Sequence, residues 1–139
     1  MNGDAWYMNR CETLAKKAAQ RGEAPVGALI VKDGQLISEA MEAVKTTHDI
    51  TCHAEIDAIR LAVKKLNNKN LSGCTMYTTH EPCVMCSYAI RFHRITKIVY
   101  QYKVDFLGGI SSSLPLLTTD DVPPTWGKAP EIVQLMPPQ

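Results

Sequence analysis

Apolar side chains recur at Ala5, Met8, Cys11, Leu14, Ala15 and Ala18, while Lys16, Lys17, Gln20 and Arg21 fall elsewhere on the wheel and Gly22 acts as a stop. Spacings of three and four predict an amphipathic helix over 5–21. Segments 26–32 and 35–41 flank Asp33-Gly34, a dipeptide that takes the positive φ angles of a two-residue turn, so a β-hairpin is expected. From Cys52 onward Ile56, Ile59, Ala62, Val63 and Leu66 repeat at helical spacing until the polar run Asn67-Asn68-Lys69-Asn70. Segment 74–79 is β-branched and aromatic and predicts a strand; 82–93 predicts a helix with Pro82 at its first position; 95–102 predicts another strand. Gly108-Gly109 and Ser111-Ser112-Ser113 then mark a loop, 114–117 a short helical stretch, and 131–135 a last strand, with residues after about 136 frayed. The order α-β-β-α-β-α-β followed by that strand predicts an α/β sandwich. Helices cover both faces of the sheet and an antiparallel hairpin lies at one edge.

Composition narrows this to one domain over 1–139. The chain is 45% hydrophobic, and a domain of this size hides about two thirds of its unfolded surface without disulfide help. Its five cysteines are odd in number, and residues 1–20 carry Asp4, Arg10, Glu12, Lys16 and Lys17 in place of an apolar leader, so a reducing cytoplasm is the expected compartment. The longest apolar stretch, 24–31 with its one Gly and one Pro, is far short of the ~20 residues that span a bilayer, so no membrane role is expected. Fifteen Lys+Arg against fourteen Asp+Glu give a net charge of +1, which exerts no global pull on nucleic acid. Arg91, Arg94, Lys97 and Lys103 are the clustered positive charges, and they read as a solvated face. Cys11, Cys52 and Cys74 sit in apolar surroundings and read as small core residues; His93 reads as an ordinary polar residue, and His48 and His80 as possible pocket neighbours.

Two short motifs carry chemistry: His53-Ala54-Glu55 at the start of one predicted helix and Pro82-Cys83-Val84-Met85-Cys86 at the start of the next. Cys83 and Cys86 are three apart, hence on one helical face, and thiolates near a helix N-terminus are favoured by its partial positive charge. His53 supplies a third ligand and leaves one tetrahedral position open, the arrangement of a catalytic zinc. Glu55 lies roughly 200° around a helix from position 53, so both reach one site only at the helix's N-terminal end. From there a carboxylate can take a proton from an activated water and deliver it to a ring nitrogen and a departing amine. A Cys-x-x-Cys alone fits structural zinc or redox chemistry equally well; it is the combination with His-x-Glu that points to catalysis.

Taken together, H-x-E and P-C-x-x-C form the zinc deaminase signature, and from 24 to 112 the chain resembles the cytidine deaminase-like superfamily. Within it the likeness is to the branch of tRNA adenosine deaminases, guanine deaminases and fungal-type cytosine deaminases. Pro25-Val26-Gly27-Ala28 is similar to the family's first strand, 49–55 to its Asp-Pro-Thr-Ala-His-Ala-Glu, and Gly108-Gly109 with its serines to the Gly-rich loop of tRNA-editing members. The resemblance implies a three-layer α/β/α sandwich with a five-stranded mixed sheet and one zinc per chain held by His53, Cys83 and Cys86. It further implies Glu55 as proton shuttle, a homodimer, and substrate contacts from Pro25, Val26, Glu42, Ala54, His80 and Glu81. Three departures stand out. Glu42 occupies the ungapped position of a base-binding Asn, Ile50 replaces a Pro, and the chain ends in 126–130 and a strand where tRNA-editing members have a basic, aromatic helix.

The expected function is therefore zinc-dependent hydrolytic removal of an exocyclic amine from a small base, nucleoside or related heterocycle of guanine or cytosine type, releasing ammonia. A tRNA adenosine deaminase, forming inosine at the wobble position, is the first rival, placed second because of the near-neutral charge and the missing helix. A catalytically silent zinc-folded partner subunit is the other rival, and Glu55 weighs against it. Glu42, if it lines the pocket, should favour a substrate edge rich in N–H donors, since a carboxylate only accepts; a surface Glu after the hairpin is the alternative.

Overall fold

The computed structural model describes residues 2–137, so part of the chain end expected to fray lies outside the described residues. Helix α1 (Asp4–Gln20) buries Tyr7, Met8, Cys11, Leu14, Ala15 and Ala18. The predicted stripe is shifted at its start: Ala5 is exposed and the larger Tyr7 turns inward, stacking near Tyr77 at 4.9 Å between ring centroids. Strands β1 (Gly27–Lys32) and β2 (Gln35–Met41) pair antiparallel across Asp33 and Gly34, whose φ angles of 51° and 75° are both positive, as that turn requires. After a short helix α2 (Val44–Thr47) come α3 (Ala54–Leu66), β3 (Cys74–His80), α4 (Val84–Phe92), β4 (Lys97–Tyr102) and β5 (Glu131–Gln134).

The sheet has five strands in the order β2-β1-β3-β4-β5. β1 is antiparallel to both neighbours, while β3, β4 and β5 run parallel. Alternation along β1 sends Leu29 and Val31 to one face, against Tyr7, Met8 and Cys11 of α1. Ala28 and Ile30 go to the other face, against Ala54, Ala58, Ile59 and Ala62 of α3 and Ile90 of α4. This is the expected three-layer α/β/α sandwich with a mixed sheet. Cys11, Cys52 and Cys74 are buried core residues. Among the described residues no helix is long and apolar enough to cross a membrane.

Three expectations need correction. Helix α2 is absent from the periodicity reading because four residues are too few to show a period; its start is held instead by Glu23, whose carboxylate accepts the N–H groups of Lys45 and Thr46 at 3.0 and 2.6 Å. Segment 114–117 is not helical. Leu116 N–H donates to Leu114 O at 2.7 Å across Pro115, a three-residue turn in place of a helical one, and the buried Leu117 donates its N–H to Gly109 O at 3.0 Å, so the segment folds as turns against the core. Finally, Arg91 does not belong to a solvated face. It is 1% exposed and donates to the carbonyls of Leu116, Leu117, Thr119 and Gly127, clamping the segment that leads into β5. Of the remaining cations, Lys103 lies past the end of β4, six residues or about 20 Å along an extended strand from Lys97 at its start, and Arg94 donates to Thr125 O at 2.8 Å.

Candidate metal centre and active site

Helices α3 and α4 both begin at the C-terminal edge of the parallel strands, where ligands of open α/β sheets bind. His53 is the N-cap of α3 and Cys83 the N-cap of α4, each with extended backbone (ψ 149° and 176°), so neither is tied to helical side-chain directions. That resolves the geometry of His53 and Glu55: the first stands just before the helix and the second on its first turn, and both face one cavity. Pro82 accordingly precedes the helix, and Cys86 stands on its first turn. His53 Nδ1 lies 3.6 Å from Cys83 Sγ and 3.4 Å from Cys86 Sγ. Tetrahedral zinc, with Zn–N about 2.0–2.1 Å and Zn–S about 2.3 Å, places its N and S ligands about 3.6 Å apart, so the three side chains fit the ion. All three ligand atoms lie within 4.8 Å of one another.

Donor chemistry agrees with the spacing. The Cys86 thiol and His53 hydrogen-bond to Cys83 and pull its pKa down to about 4, while the bond to Cys83 holds His53 up at about 9. Cys86 is pushed upward by its hydrogen bond to Cys83 and by burial. A thiolate beside protonated partners is the charge state from which a metal displaces protons. The site can thus hold one zinc through three protein ligands, leaving a fourth position to the cavity.

That cavity, of about 150 Å³, is lined by Val26, Glu42, His53, Glu55, His80, Glu81, Cys83 and Val104. It is smaller than the ~300 Å³ at which drug-sized clefts begin, which suits a single heterocycle. A groove of about 770 Å³ between β2 and α3 is larger but contains none of the ligands. Glu55 is 4% exposed, and burial, reinforced by the negative charge of Glu42 and Cys83, pushes its carboxyl up to about 7, the range of an effective general acid–base at neutral pH. Glu42 sits at the rim of α3 with Oε1 accepting the Ala54 N–H at 3.0 Å, and burial raises its pKa. Glu42 is half-buried and part of the cavity lining. His80 has Nδ1 2.9 Å from Thr79 Oγ1 and its ring beside Tyr102, and burial lowers its pKa, keeping the ring neutral.

The remaining expected contacts divide. Val26 lines the cavity; Pro25 is exposed and does not. Ala54 is buried and its N–H is already taken by Glu42. Glu81 reaches the cavity wall, but its carboxylate accepts N–H groups from Val104, Ile110 and Ser111 and the Ser111 hydroxyl, which makes it the anchor of the loop after β4. A Cβ on Gly108 would fall on that carboxylate, which explains the glycine. His48 is exposed and left-handed at the end of α2, away from the lining. Sequence reasoning missed Val104, an apolar loop residue with no motif around it, and Thr79, whose hydroxyl takes the Gly27 N–H at 3.2 Å and orients His80.

Known proteins match this geometry. The chain is 43% identical to a tRNA-specific adenosine deaminase of Aquifex aeolicus (strain VF5) over 115 residues, 83% of this chain and 76% of that one. It is also 43% identical to a guanine deaminase of Bacillus subtilis (strain 168) over 95 residues, 68% of this chain and 61% of that one. A structure solved in studies of A-to-I editing by tRNA:A34 deaminases at the wobble position superposes with a TM-score of 0.86 at 33% identity, covering 94% of this chain and 98% of the other. The model of the cytidine and deoxycytidylate deaminase zinc-binding region matches residues 1–102, a span that contains the three ligands and Glu55. With that match and a cluster of His53, Cys83 and Cys86 inside it that fits one metal ion, the chain belongs to the cytidine and deoxycytidylate deaminase zinc-binding family.

Proposed function

We propose that the protein is a zinc-dependent hydrolytic deaminase that converts an adenosine of tRNA to inosine with release of ammonia. The observation that carries the deaminase reading is the buried Glu55 carboxylate, poised near neutral pH, in the same small cavity as an open-sided three-ligand set. When bound, zinc supplies the Lewis acidity that makes water a nucleophile near neutral pH. Glu55 would carry both protons of the attacking water: it would accept the first and give it to a ring nitrogen, then take the second from the hydroxyl added at the ring carbon and give it to the amine, which departs as ammonia as the carbonyl forms. Val26, His80 and Val104 wall the ring and keep bulk water away, and neutral His80 adds no charge. A ring-sized cavity requires an RNA-borne base to be flipped out of its stack to enter.

Likeness over most of the chain to proteins named for tRNA adenosine supports this substrate over the small base first expected from net charge. A second reading, a free purine such as guanine, is favoured by the acceptor-only Glu42 in the cavity and by the match to the guanine deaminase. The homodimer belongs to the proposal too: Leu61 on α3 and Tyr88 and Phe92 on α4 leave apolar surface for it, and sedimentation velocity tests it. The function is tested by assaying inosine and ammonia from an anticodon stem-loop, adenosine, guanine and cytosine. Inosine in the stem-loop, with affinity falling steeply as salt rises, supports the RNA reading. Turnover of guanine alone, indifferent to salt, replaces it with the second.

A further inference from the structure

The cavity wall holds Glu42, Glu55 and Glu81 and not one Lys or Arg. At that end of the molecule Lys45 stands beside Glu23, whose carboxylate it favours. An RNA that delivers a base to such a cavity brings phosphates with it, and these need cations elsewhere. The opposite edge of the sheet, where β3, β4 and β5 begin and β1 ends, supplies them.

Three segments meet at that edge. The loop after α3 is tied to the end of α4 by the Leu71 N–H, which donates to His93 O at 2.7 Å, and by His93 Nδ1, 2.7 Å from Lys69 O. The segment before β5 is tied to the same helix by the Gly127 N–H, which donates to Arg91 O at 3.1 Å. These ties bring the exposed Lys69, Arg94 and Lys128 to two adjoining hollows of about 240 and 400 Å³. Arg94 lines both, Lys69 and Asn70 the smaller, and Lys128, Ser72 and Thr96 the larger. Among the described residues Glu131 is the one carboxylate in either lining, and none lies within ion-pair distance of the three cations.

Arg94 occupies its place at a backbone cost. Its N–H donates to Arg91 O and that of Ile95 to Ile90 O, the paired bonds that close a helix, and its φ of 64° is the left-handed angle at which Gly is usual. The guanidinium has five N–H groups and spends one on Thr125 O at 2.8 Å. The tie to Thr125 leaves most of its donors for something outside the chain.

We propose that this edge is a second binding surface, for the phosphate backbone of the RNA substrate, with Lys69, Arg94 and Lys128 as its contacts. The cations are strung along two hollows and do not converge on one point, which suits successive phosphates of a polymer better than a lone anion. Helix α4 runs from the ligand end to this edge in nine residues, about 14 Å. A nucleic-acid duplex carries roughly one charge per 1.7 Å of axis, so several phosphates fall within that reach. The inference rests on the reading of RNA as the substrate.

The test measures binding of an anticodon stem-loop to the zinc-loaded full chain by fluorescence anisotropy at a series of salt concentrations. Wild type is compared with the double variant Lys69→Gln and Lys128→Gln, and with a control that removes the same charge from the exposed face of α1, Lys16→Gln and Lys17→Gln. Zinc content, Tm and inosine formation are recorded for each. The Lys69 and Lys128 double variant should bind about tenfold or more weakly at low salt. Its plot of log affinity against log salt should be shallower by about 1.4–1.8, the share of two phosphate contacts. Zinc and Tm should stay at wild-type values, and the control should bind as wild type does. A wild-type enzyme that forms inosine in the stem-loop with the same salt slope in both double variants overturns the inference alone. Equal weakening by the control also overturns it, since the attraction is then spread over the whole surface. Binding of inorganic phosphate that the Lys69 and Lys128 substitutions abolish, with the stem-loop slope unchanged, overturns it in favour of a small-anion site. A wild type that neither binds the stem-loop nor forms inosine in it overturns the RNA reading and the inference together.

Discussion

The Glu81 carboxylate accepts both the backbone N–H and the hydroxyl of Ser111, each at 2.8 Å. It takes the Ile110 N–H at 2.9 Å as well, so a buried anion beside the ligand motif gathers a loop thirty residues further on. Hydrogen bonds to charged groups are worth about 1.5–3 kcal/mol each, and neutral ones about 1. Glu81→Ala should therefore cost roughly 2–4 kcal/mol in urea denaturation, against about 1 kcal/mol for Ser111→Ala. Equal losses would show that the hydroxyl, not the carboxylate, ties the loop.

Glu55 is tested by its amide. Glu55→Gln keeps the shape of a buried side chain and removes its ability to hold and release a proton. It should retain zinc near one per chain and lose at least about 10²-fold in turnover, the lower range for a general acid–base. Loss of zinc alongside turnover would assign Glu55 to the fold instead.

Arg91 invites a different measurement. Its guanidinium donates to four carbonyls, of Leu116, Leu117, Thr119 and Gly127. Arg91→Leu should fill part of the space but orphan those oxygens, destabilising the fold by roughly 3 kcal/mol or more. Amide exchange should accelerate first in β5, the strand this clamp delivers, and uniform acceleration across the sheet would contradict the clamp.

Acid sensitivity should trace in part to Glu23. The Thr46 hydroxyl and the N–H groups of Lys45 and Thr46 outweigh its burial and depress its pKa. A depressed carboxyl stabilises the fold fully above its unfolded pKa, about 4.3, and loses that contribution as pH falls through the folded value. Glu23→Gln should thus be less stable than wild type at neutral pH, with the gap closing in strong acid. A gap that stays constant from pH 7 downward would mean that the carboxylate's charge is not what holds α2.

Legibility followed locality. Helices α1 and α3 and the hairpin were readable because spacing and turn chemistry are decided within a few residues, and the ligands because both motifs are short. Helix α2 escaped because its support, Glu23, is twenty-two residues from Lys45. Arg91 looked like a surface charge in Arg91-Phe92-His93-Arg94 because its acceptors lie twenty-five or more residues away. Leu114 and Leu116 suggested a helix, where the chain instead makes a tight turn across Pro115 and ties Leu117 to Gly109, eight residues back. Val104 reaches the cavity only through a loop whose path is set by Glu81, and nothing in its neighbours announces that.

Val104 stands on a segment that contributes neither His53, Cys83 and Cys86 nor Glu55, although it faces the same small space. The labour is divided between two stretches of chain that can drift at different rates. Replacing Val104 reshapes the wall while the anchor at Glu81 keeps the loop in place and the reacting core untouched. The shape of the cavity can therefore change by single substitutions in this loop before any residue of the metal centre has to move.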